Sequence, residues 1–307
     1  MGSPGTRESP LAARAHSIFC IIPPFKTPQP QPMPQSETDY IPYHAETRVG
    51  RGRVLVFAPH PDDEVFGCAG AILQHVADGD EVRVIIATDG AFGGVEDPRH
   101  YASTRQDESR AAGKILGYGT PLFWGLPDRG VLVDSDLVAR IETMLAEYRP
   151  ALVYAPSWWE IHPDHTALSL AVTEALARGS LEAQLILYEV GVPLHPNFLL
   201  DISAHLSTKQ AAMACFASQM AQQAYGDHLL ALNRFRTYTL PSSVHAAEAY
   251  RRITPPIEPP AAPLMSRMDA RDAVGFDCVA YRPAELASPF CHWLTRGIRA
   301  CRRALQR

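Results

Sequence analysis

The chain has 307 residues, of which 46% are hydrophobic, and 28 Lys and Arg stand against 33 Asp and Glu for a formal net charge of −5. This composition is ordinary for a globular protein, and its mildly acidic balance predicts no nucleic-acid partner. No apolar run approaches the roughly 18 residues of a membrane-spanning helix, and the run Ile18–Ile22 is shorter than a signal-peptide core. Six scattered cysteines without a CxxC pair indicate reduced thiols, so we expect a cytoplasmic protein.

Proline marks the domain boundaries. Nine of the 27 prolines lie in residues 1–42 and five in residues 255–263. We therefore predict a disordered Pro-rich tail over residues 1–45, a single α/β domain over 46–253, and a Pro-rich linker with a basic amphipathic segment over 254–307.

Within the domain, short apolar runs alternate with patterns of helical periodicity. The predicted strands are residues 54–58, 81–87, 121–124, 151–155 and 184–190. The predicted helices are residues 64–77, 104–116, 134–148, 164–177, 208–223 and 227–235. Nearly all-apolar strands that alternate with helices favour a mostly parallel sheet with helices on both faces, a Rossmann-like α/β fold.

Two polar motifs follow the first and fourth predicted strands. They are PHPDDE at Pro59–Glu64 and HPDH at His162–His165. In open α/β sheets, ligands bind at the carboxyl ends of the strands, where the strand order reverses. If strands one and four are neighbours, the two motifs face each other across one crevice. Either motif alone could be a simple helix start with an Asp cap, but two at two strand ends favour a functional site.

The residue types in the motifs are those of a metal centre. His60 and Asp63 are three residues apart at a helix start, and His162 and His165 repeat this spacing, so each pair can point to one side. Two imidazoles and one carboxylate leave coordination positions open, as in catalytic zinc sites, although the same donors could hold Fe(II).

The remaining groups suit proton transfer next to a metal. Zinc lowers the pKa of a coordinated water from about 15.7 to near 7, and Asp62 could complete its deprotonation. The histidine that is not a ligand could, when protonated, stabilise an oxyanion and then protonate a leaving amine. Asp164 could orient that histidine.

With these motifs, the sequence resembles the PIG-L/LmbE family of metal-dependent N-acetylglucosaminyl deacetylases over roughly residues 53–195. Weaker supporting features are the segments GCAG at 67–70, ATDG at 87–90 and RQDE at 105–108. The resemblance implies that zinc is bound by three residues, His60, Asp63 and His165, and Fe²⁺ stays possible for the same donors. It further implies that Asp62 is the general base and His162 the oxyanion stabiliser and acid.

The positions that would contact substrate align more loosely with the family pattern than the two motifs do. Arg105 and Asp128 align with sugar-contacting positions of the family, although Arg105 could be a surface helix charge and Asp128 a turn residue. Many family members have Arg or Tyr just before HPDH, where this chain has Trp158, Trp159 and Glu160. The tryptophans could stack on a sugar or pack in the core. Glu160 could contact substrate or be only a loop carboxylate.

Residues 187–240 are similar to a bacterial branch of the family associated with surface-polysaccharide or glycolipid assembly. This resemblance implies an N-acetyl amino-sugar substrate on a lipid or polymer carrier. The basic segment after residue 285 could then contact the inner face of the membrane, or it could be a solvated helix docked on the domain. Two alternatives are a deacetylase of a soluble small glycoside from a thiol-cofactor or antibiotic pathway, and a non-catalytic sugar-binding module. No oligomeric state is predicted.

Overall fold

The computed structural model describes residues 36–92 and 97–260. Most of the predicted N-terminal tail and the basic amphipathic segment lie outside the described residues, and the three domain boundaries stay predictions. None of the helices in the described ranges combines the length and apolar character needed to span a bilayer.

A seven-stranded sheet forms the centre of the fold, with the strand order β3-β2-β1-β4-β5-β7-β6. The strands are β1 (Val54–Ala58), β2 (Val82–Thr88), β3 (Leu122–Leu126), β4 (Leu152–Pro156), β5 (Gln184–Tyr188), β6 (Phe198–Asp201) and β7 (Ala247–Ile253). Strands β1 to β5 are parallel, whereas β7 runs antiparallel to both β5 and β6. The predicted α/β class with a mostly parallel sheet is therefore confirmed.

Seven α-helices accompany the sheet in the described part of the chain. They are α1 (Asp63–Ala77), α2 (Pro98–Leu116), α3 (Ser135–Tyr148), α4 (Pro163–Arg178), α5 (Leu206–Met213), α6 (Ala217–Met220) and α7 (Tyr225–Phe235). Residues of α1, α2 and α5 share one core cluster with Val54 and Val56, whereas residues of α3 and α4 share a second cluster with Leu55 and Phe57. Successive strand residues thus point to opposite layers, and burial on both faces explains why the strands are almost entirely apolar.

The strand order reverses between β1 and β4. The chain moves outward from β1 to β3 and then returns to pair β4 with the free edge of β1, where Val54 lies opposite Leu152. The predicted neighbourhood of the first and fourth strands is confirmed. Helices α1 and α4 therefore begin next to each other at the carboxyl edge of the sheet.

Helix α2 begins at Pro98, six residues before the predicted start at Thr104, and two further regions differ from the sequence prediction. The helix predicted over residues 208–223 is broken into α5 and α6, because Phe216 at the break is fully buried and packs against Phe66 with ring centroids 5.8 Å apart. Strands β6 and β7 were not predicted. Strand β6 has only four residues, and β7 contains the charged residues Glu248, Arg251 and Arg252, so neither strand has the continuous apolar run on which the other strand predictions depend.

Candidate metal centre and catalytic site

The first motif makes a strained turn between β1 and α1. Asp62 precedes the helix with φ 134° and ψ −32°, a backbone conformation that residues other than glycine rarely adopt. The amide of Asp62 donates to Oε2 of Glu64 at 3.0 Å, and its carbonyl accepts from Val65 and Phe66 at 2.9 Å each. Such strain persists only where the surroundings fix it, and it is frequent at functional sites.

The second motif begins α4. His162 is the N-cap residue, and Pro163 occupies the first helical turn, where its missing N–H costs no hydrogen bond. Nδ1 of His162 accepts a hydrogen bond from the amide of Asp164 at 3.2 Å. His165 lies one turn further and is buried next to the first motif.

Three donor atoms from the two motifs converge. Oδ2 of Asp63 lies 3.1 Å from Nδ1 of His60 and 3.1 Å from Nε2 of His165, and these two nitrogens are 3.3 Å apart. Ligand atoms around a tetrahedral zinc with bonds of about 2.0–2.2 Å are about 3.3–3.6 Å apart. The spacing, the burial and the chemistry of this donor set therefore fit a divalent metal ion.

His162 belongs to the same cluster. His60, His162 and His165 each offer a nitrogen within 4.8 Å of the others, and a second such group adds Asp128 and Asp164 to His60 and His162. The rings of His60 and His162 meet edge-to-face with centroids 4.5 Å apart. His162, which is half-buried, is thus placed beside the three converging donors.

Asp164 is placed differently from the prediction. Its carboxylate does not orient His162 but lies against His60, with Oδ2 3.1 Å from Nε2 of His60. The amides of Arg129 and Val131 donate to the same carboxylate at 2.6 and 3.1 Å. These amides hold Asp164 in place. Because they belong to the backbone, no sequence motif predicts this contact. A histidine that offers one nitrogen to a metal and the other to a carboxylate is the usual arrangement at metal sites.

Asp62 is held by Arg105, a residue of α2. Nη2 of Arg105 donates to Oδ2 of Asp62 at 3.0 Å and to the carbonyl of Pro61 at 2.8 Å, and Nη1 donates to the carbonyl of Gly90 at 2.9 Å. Burial raises the pKa of Asp62 to about 7, an effect that Arg105 partly opposes. Arg105 is 5% exposed, which excludes a surface charge.

Asp128 lies at the rim of the same cluster. Its Oδ1 is 3.3 Å from Nε2 of His60, and its Oδ2 accepts from the amide of Phe92 at 3.3 Å and lies 4.0 Å from Nη1 of Arg105. The predicted sugar contacts of Asp128 and Arg105 stay predictions, but both side chains lie at the cluster rather than elsewhere on the surface.

The electrostatic surroundings of His162 favour its neutral form. Burial, together with repulsion from His60 and His165, lowers the pKa of His162 to about 4. Because Nδ1 already accepts from the amide of Asp164, the neutral ring carries its proton on Nε2. Nε2 of His162 is therefore an N–H donor at the cluster.

Glu160 does not fit a role in substrate contact. Its side chain is fully buried and accepts hydrogen bonds from the amides of Val190 and Gly191 at 2.8 and 2.9 Å, and Oε2 lies 3.5 Å from Nδ1 of His165. The predicted substrate contact of Glu160 is therefore corrected, because its carboxylate faces a neighbouring loop and His165.

Trp158 is a core residue. It is 9% exposed, and Nε1 donates to Oγ1 of Thr173 at 3.0 Å. Trp159 is partly buried and packs against the same core cluster. The sequence-based alternative of core packing thus applies to Trp158, which is not available as a stacking platform.

The fold and the cluster define a class of protein: an α/β protein with a candidate metal centre at the carboxyl ends of two central parallel strands. Residues 55–176 match the model of the PIG-L family, which is described as GlcNAc-PI de-N-acetylase, and this part of the chain is a PIG-L-family domain. The resemblance predicted from the two motifs is confirmed.

Named relatives agree with this assignment. The chain is 28% identical over 192 residues to a diacetylchitobiose deacetylase of Thermococcus kodakarensis, a match that covers 56% of this chain and 72% of the relative. It is 28% identical over 188 residues to a probable N-acetyl-alpha-D-glucosaminyl L-malate deacetylase 2 of Bacillus anthracis, covering 55% and 81%. The crystal structure of N,N'-diacetylchitobiose deacetylase from Pyrococcus horikoshii has the same fold, with a TM-score of 0.59, 22% identity, and coverage of 66% of this chain and 84% of that chain.

Proposed function

We propose that this protein is a metal-dependent hydrolase that removes the N-acetyl group from a GlcNAc-type amino sugar. The observation that carries the proposal is the convergence of His60, Asp63 and His165 on one point beside Asp62 and His162. The deacetylase names of the relatives supply the reaction type. Two imidazoles and a carboxylate fit Zn²⁺, and Fe²⁺ is the alternative metal for the same donors.

His60, Asp63 and His165 would hold the ion through Nδ1, Oδ2 and Nε2. A bound divalent ion would supply Lewis acidity, which polarises the acetyl carbonyl and acidifies water at the site. Asp164 would fix the ring of His60 from the other nitrogen, whereas Oε2 of Glu160 lies 3.5 Å from Nδ1 of His165, too far for a well-formed hydrogen bond.

Asp62 would act as the general base. Its carboxylate would take a proton from the attacking water as the new C–O bond forms at the acetyl carbon. Arg105 holds this carboxylate in position through the hydrogen bond to Oδ2. Asp62 would then return the proton to the sugar nitrogen as the C–N bond breaks, which releases acetate and a free amine.

His162 would stabilise the developing negative charge on the carbonyl oxygen. Its Nε2–H donor is fixed by the amide of Asp164 on the opposite nitrogen, so the donor needs no reorganisation during the reaction. This is a narrower role than the acid predicted from the sequence, because the neutral ring donates a hydrogen bond without giving up its proton.

The test is acetate release from a panel of free, nucleotide-linked and lipid-linked GlcNAc compounds, with Zn²⁺ or Fe²⁺ added to chelator-treated full-length protein. We expect acetate from at least one compound, and we expect chelator to abolish the release. Binding of a panel sugar without acetate release would indicate the non-catalytic sugar-binding alternative and overturn the proposal.

The same panel distinguishes the carriers. A lipid-linked or polymer-linked substrate predicts that deletion of residues 286–307 lowers turnover on vesicle-borne substrate and leaves turnover on free sugars unchanged. A soluble small glycoside predicts no effect of this deletion on any substrate.

A further inference from the structure

Helix α1 is interrupted directly after its first turn. Cys68 has φ −144° and ψ 24°, which lie outside the helical region. A straight helix would bond the amide of Gly70 to the carbonyl of Phe66 and the amide of Ala71 to the carbonyl of Gly67. The interruption separates the turn that begins with Asp63 from the remaining length of α1.

A buried ion pair stands at this interruption. Nζ of Lys209, from α5, donates to the carbonyl of Phe66 at 3.0 Å and to Oε1 of Glu248 at 2.8 Å. The carboxylate of Glu248, from β7, accepts from the amides of Gly70 and Ala71 at 2.9 and 3.0 Å. In a straight helix the carbonyl of Phe66 and the amide of Gly70 would bond to each other. Here the carbonyl accepts from Lys209 and the amide donates to Glu248.

Both charges are removed from water. The side chain of Lys209 is 0% exposed and that of Glu248 is 1% exposed. Desolvation of two charges is expensive, and an apolar pair of similar volume is often as stable. Here the pair satisfies three backbone groups that apolar side chains would leave buried without partners.

The glycines of the GCAG segment make room for this arrangement. A Cβ atom on Gly70 would lie 2.8 Å from Oε2 of Glu248 and 2.3 Å from Cγ2 of Ile202. A Cβ atom on Gly67 would lie 2.2 Å from Cδ2 of Tyr188. Backbone and neighbouring side chains are therefore in direct contact on both sides of the interruption.

We propose that Lys209 and Glu248 are positioning residues for the site: they hold the first turn of α1, and with it Asp62 and Asp63, at the angle that the ligand set requires. The inference rests on the proposed function for the identity of the site. The pair touches none of the ligand or catalytic side chains named above. It acts through the backbone of Phe66 and Gly70.

The test compares two double variants in the full chain. Lys209→Met/Glu248→Leu removes both charges and every hydrogen bond of the pair. Lys209→Met/Glu248→Gln also removes both charges but keeps a side-chain oxygen for the amides of Gly70 and Ala71. The control is Ile141→Ala, which empties a buried position of α3 on the other face of the sheet.

Three measurements are made on each protein: amide hydrogen exchange over residues 59–71, affinity for Zn²⁺ alone by competition with a chelating dye, and the midpoint of urea unfolding. We expect the Met/Leu variant to exchange at least tenfold faster over residues 59–71 and to bind Zn²⁺ at least tenfold more weakly. The Met/Gln variant should recover part of both losses. Ile141→Ala should change zinc affinity by less than twofold even where its urea midpoint matches that of the Met/Leu variant.

Unchanged exchange over residues 59–71 in the Met/Leu variant would overturn the inference, as would equal losses of zinc affinity in the Met/Leu variant and in Ile141→Ala. If the unsubstituted protein does not bind Zn²⁺, the proposed metal centre fails. The hydrogen exchange still decides whether the pair holds the first turn of α1.

Discussion

Oδ2 of Asp164 lies 3.1 Å from Nε2 of His60, so the aspartate of the second motif is bonded to the histidine of the first. The two motifs are thereby joined by a hydrogen bond in addition to the convergence of their candidate ligands. The carboxylate also accepts from two backbone amides, which fixes its direction. This arrangement suits Asp164 to the role proposed above, in which it orients the candidate ligand His60.

Substitution Asp164→Asn should weaken zinc binding. The amide side chain can still accept one backbone hydrogen bond, but it no longer opposes the His60 N–H with a full charge, and loss of such a partner typically costs 10–100-fold in affinity. Zinc affinity is measured by dye competition. The matched control is Asp107→Asn on α2, whose carboxylate is largely exposed and pairs with Arg110. Equal affinities in the two variants would remove Asp164 from this role.

Substitution Asp62→Asn should strongly reduce turnover while the metal stays bound. The amide keeps the shape of the side chain and an oxygen toward Arg105 but cannot accept the proton of water, so kcat should fall by roughly 10²–10⁴-fold. Metal content by elemental analysis should equal that of the unsubstituted protein. The companion variant Asp63→Asn should lose metal. Activity retained in Asp62→Asn would exclude it as the base.

Substitution Gly67→Ala should destabilise the fold. The new methyl group would overlap the ring of Tyr188, and overpacking of this kind costs about 1–3 kcal/mol. Urea unfolding gives the free energy. The control is Gly226→Ala in α7, where the added methyl meets the flexible ends of Met220 and Met213. A Gly67→Ala protein as stable as the control would show that β5 and α1 can separate freely.

His75 should make stability depend on pH. The ring is 1% exposed and bonds both Asp80 and the hydroxyl of Tyr154 at 2.9 Å. Burial lowers the pKa of His75 below its ordinary value, although Asp80 opposes the shift. The unfolded chain therefore takes up the proton first, so this contribution to stability is complete above about pH 6.5 and decreases as the pH falls below it.

The measurement is the free energy of unfolding by urea, in the presence of chelator, from pH 9 to pH 5. The unsubstituted protein is compared with His75→Gln, whose side chain does not titrate in this range. The stability difference between the two proteins should be constant above pH 7 and shrink toward pH 5, by at most about 1.4 kcal/mol per pH unit. A difference that does not change with pH would exclude a shifted His75.

Substitution Trp158→Phe should affect stability and leave substrate affinity unchanged. The change removes a buried hydrogen bond to Thr173 and part of a buried ring, at a cost of about 1–3 kcal/mol. KM on whichever panel sugar is hydrolysed should stay within twofold. A large rise in KM with unchanged stability would instead indicate a contact with the sugar.

The sequence predicts the parts of the fold that depend on local patterns. The boundaries of β1 are identical in prediction and structure, and those of α1, α3 and α4 differ by one residue. Strand β7 was missed because its burial comes from pairing with β5 and β6, which its own residues do not signal. The break at Phe216 was missed for a related reason, since tertiary packing overrides the helical pattern there.

The sequence predicts which residues form the site better than it predicts the hydrogen bonds between them. PHPDDE and HPDH identify the cluster because their spacing and their places after two strands are properties of the sequence. The pairing of Asp164 with His60, of Arg105 with Asp62, and of Glu160 with the loop at 190–191 depends on orientations that only the folded chain fixes. Lys209 and Glu248 belong to no sequence motif, and only their burial in the structure distinguishes them from surface charges.

The candidate ligands His60 and His165 are 105 positions apart in the chain, and they meet only because β4 closes against β1. During synthesis, the chain would have to emerge from the ribosome as far as α4 before His60 and His165 could bind one ion. An ion that binds this closed arrangement and does not bind the unfolded chain stabilises the native state by RT ln(1 + [L]/Kd). If the cluster binds the proposed ion, the stability of the fold would therefore depend on the concentration of the free metal.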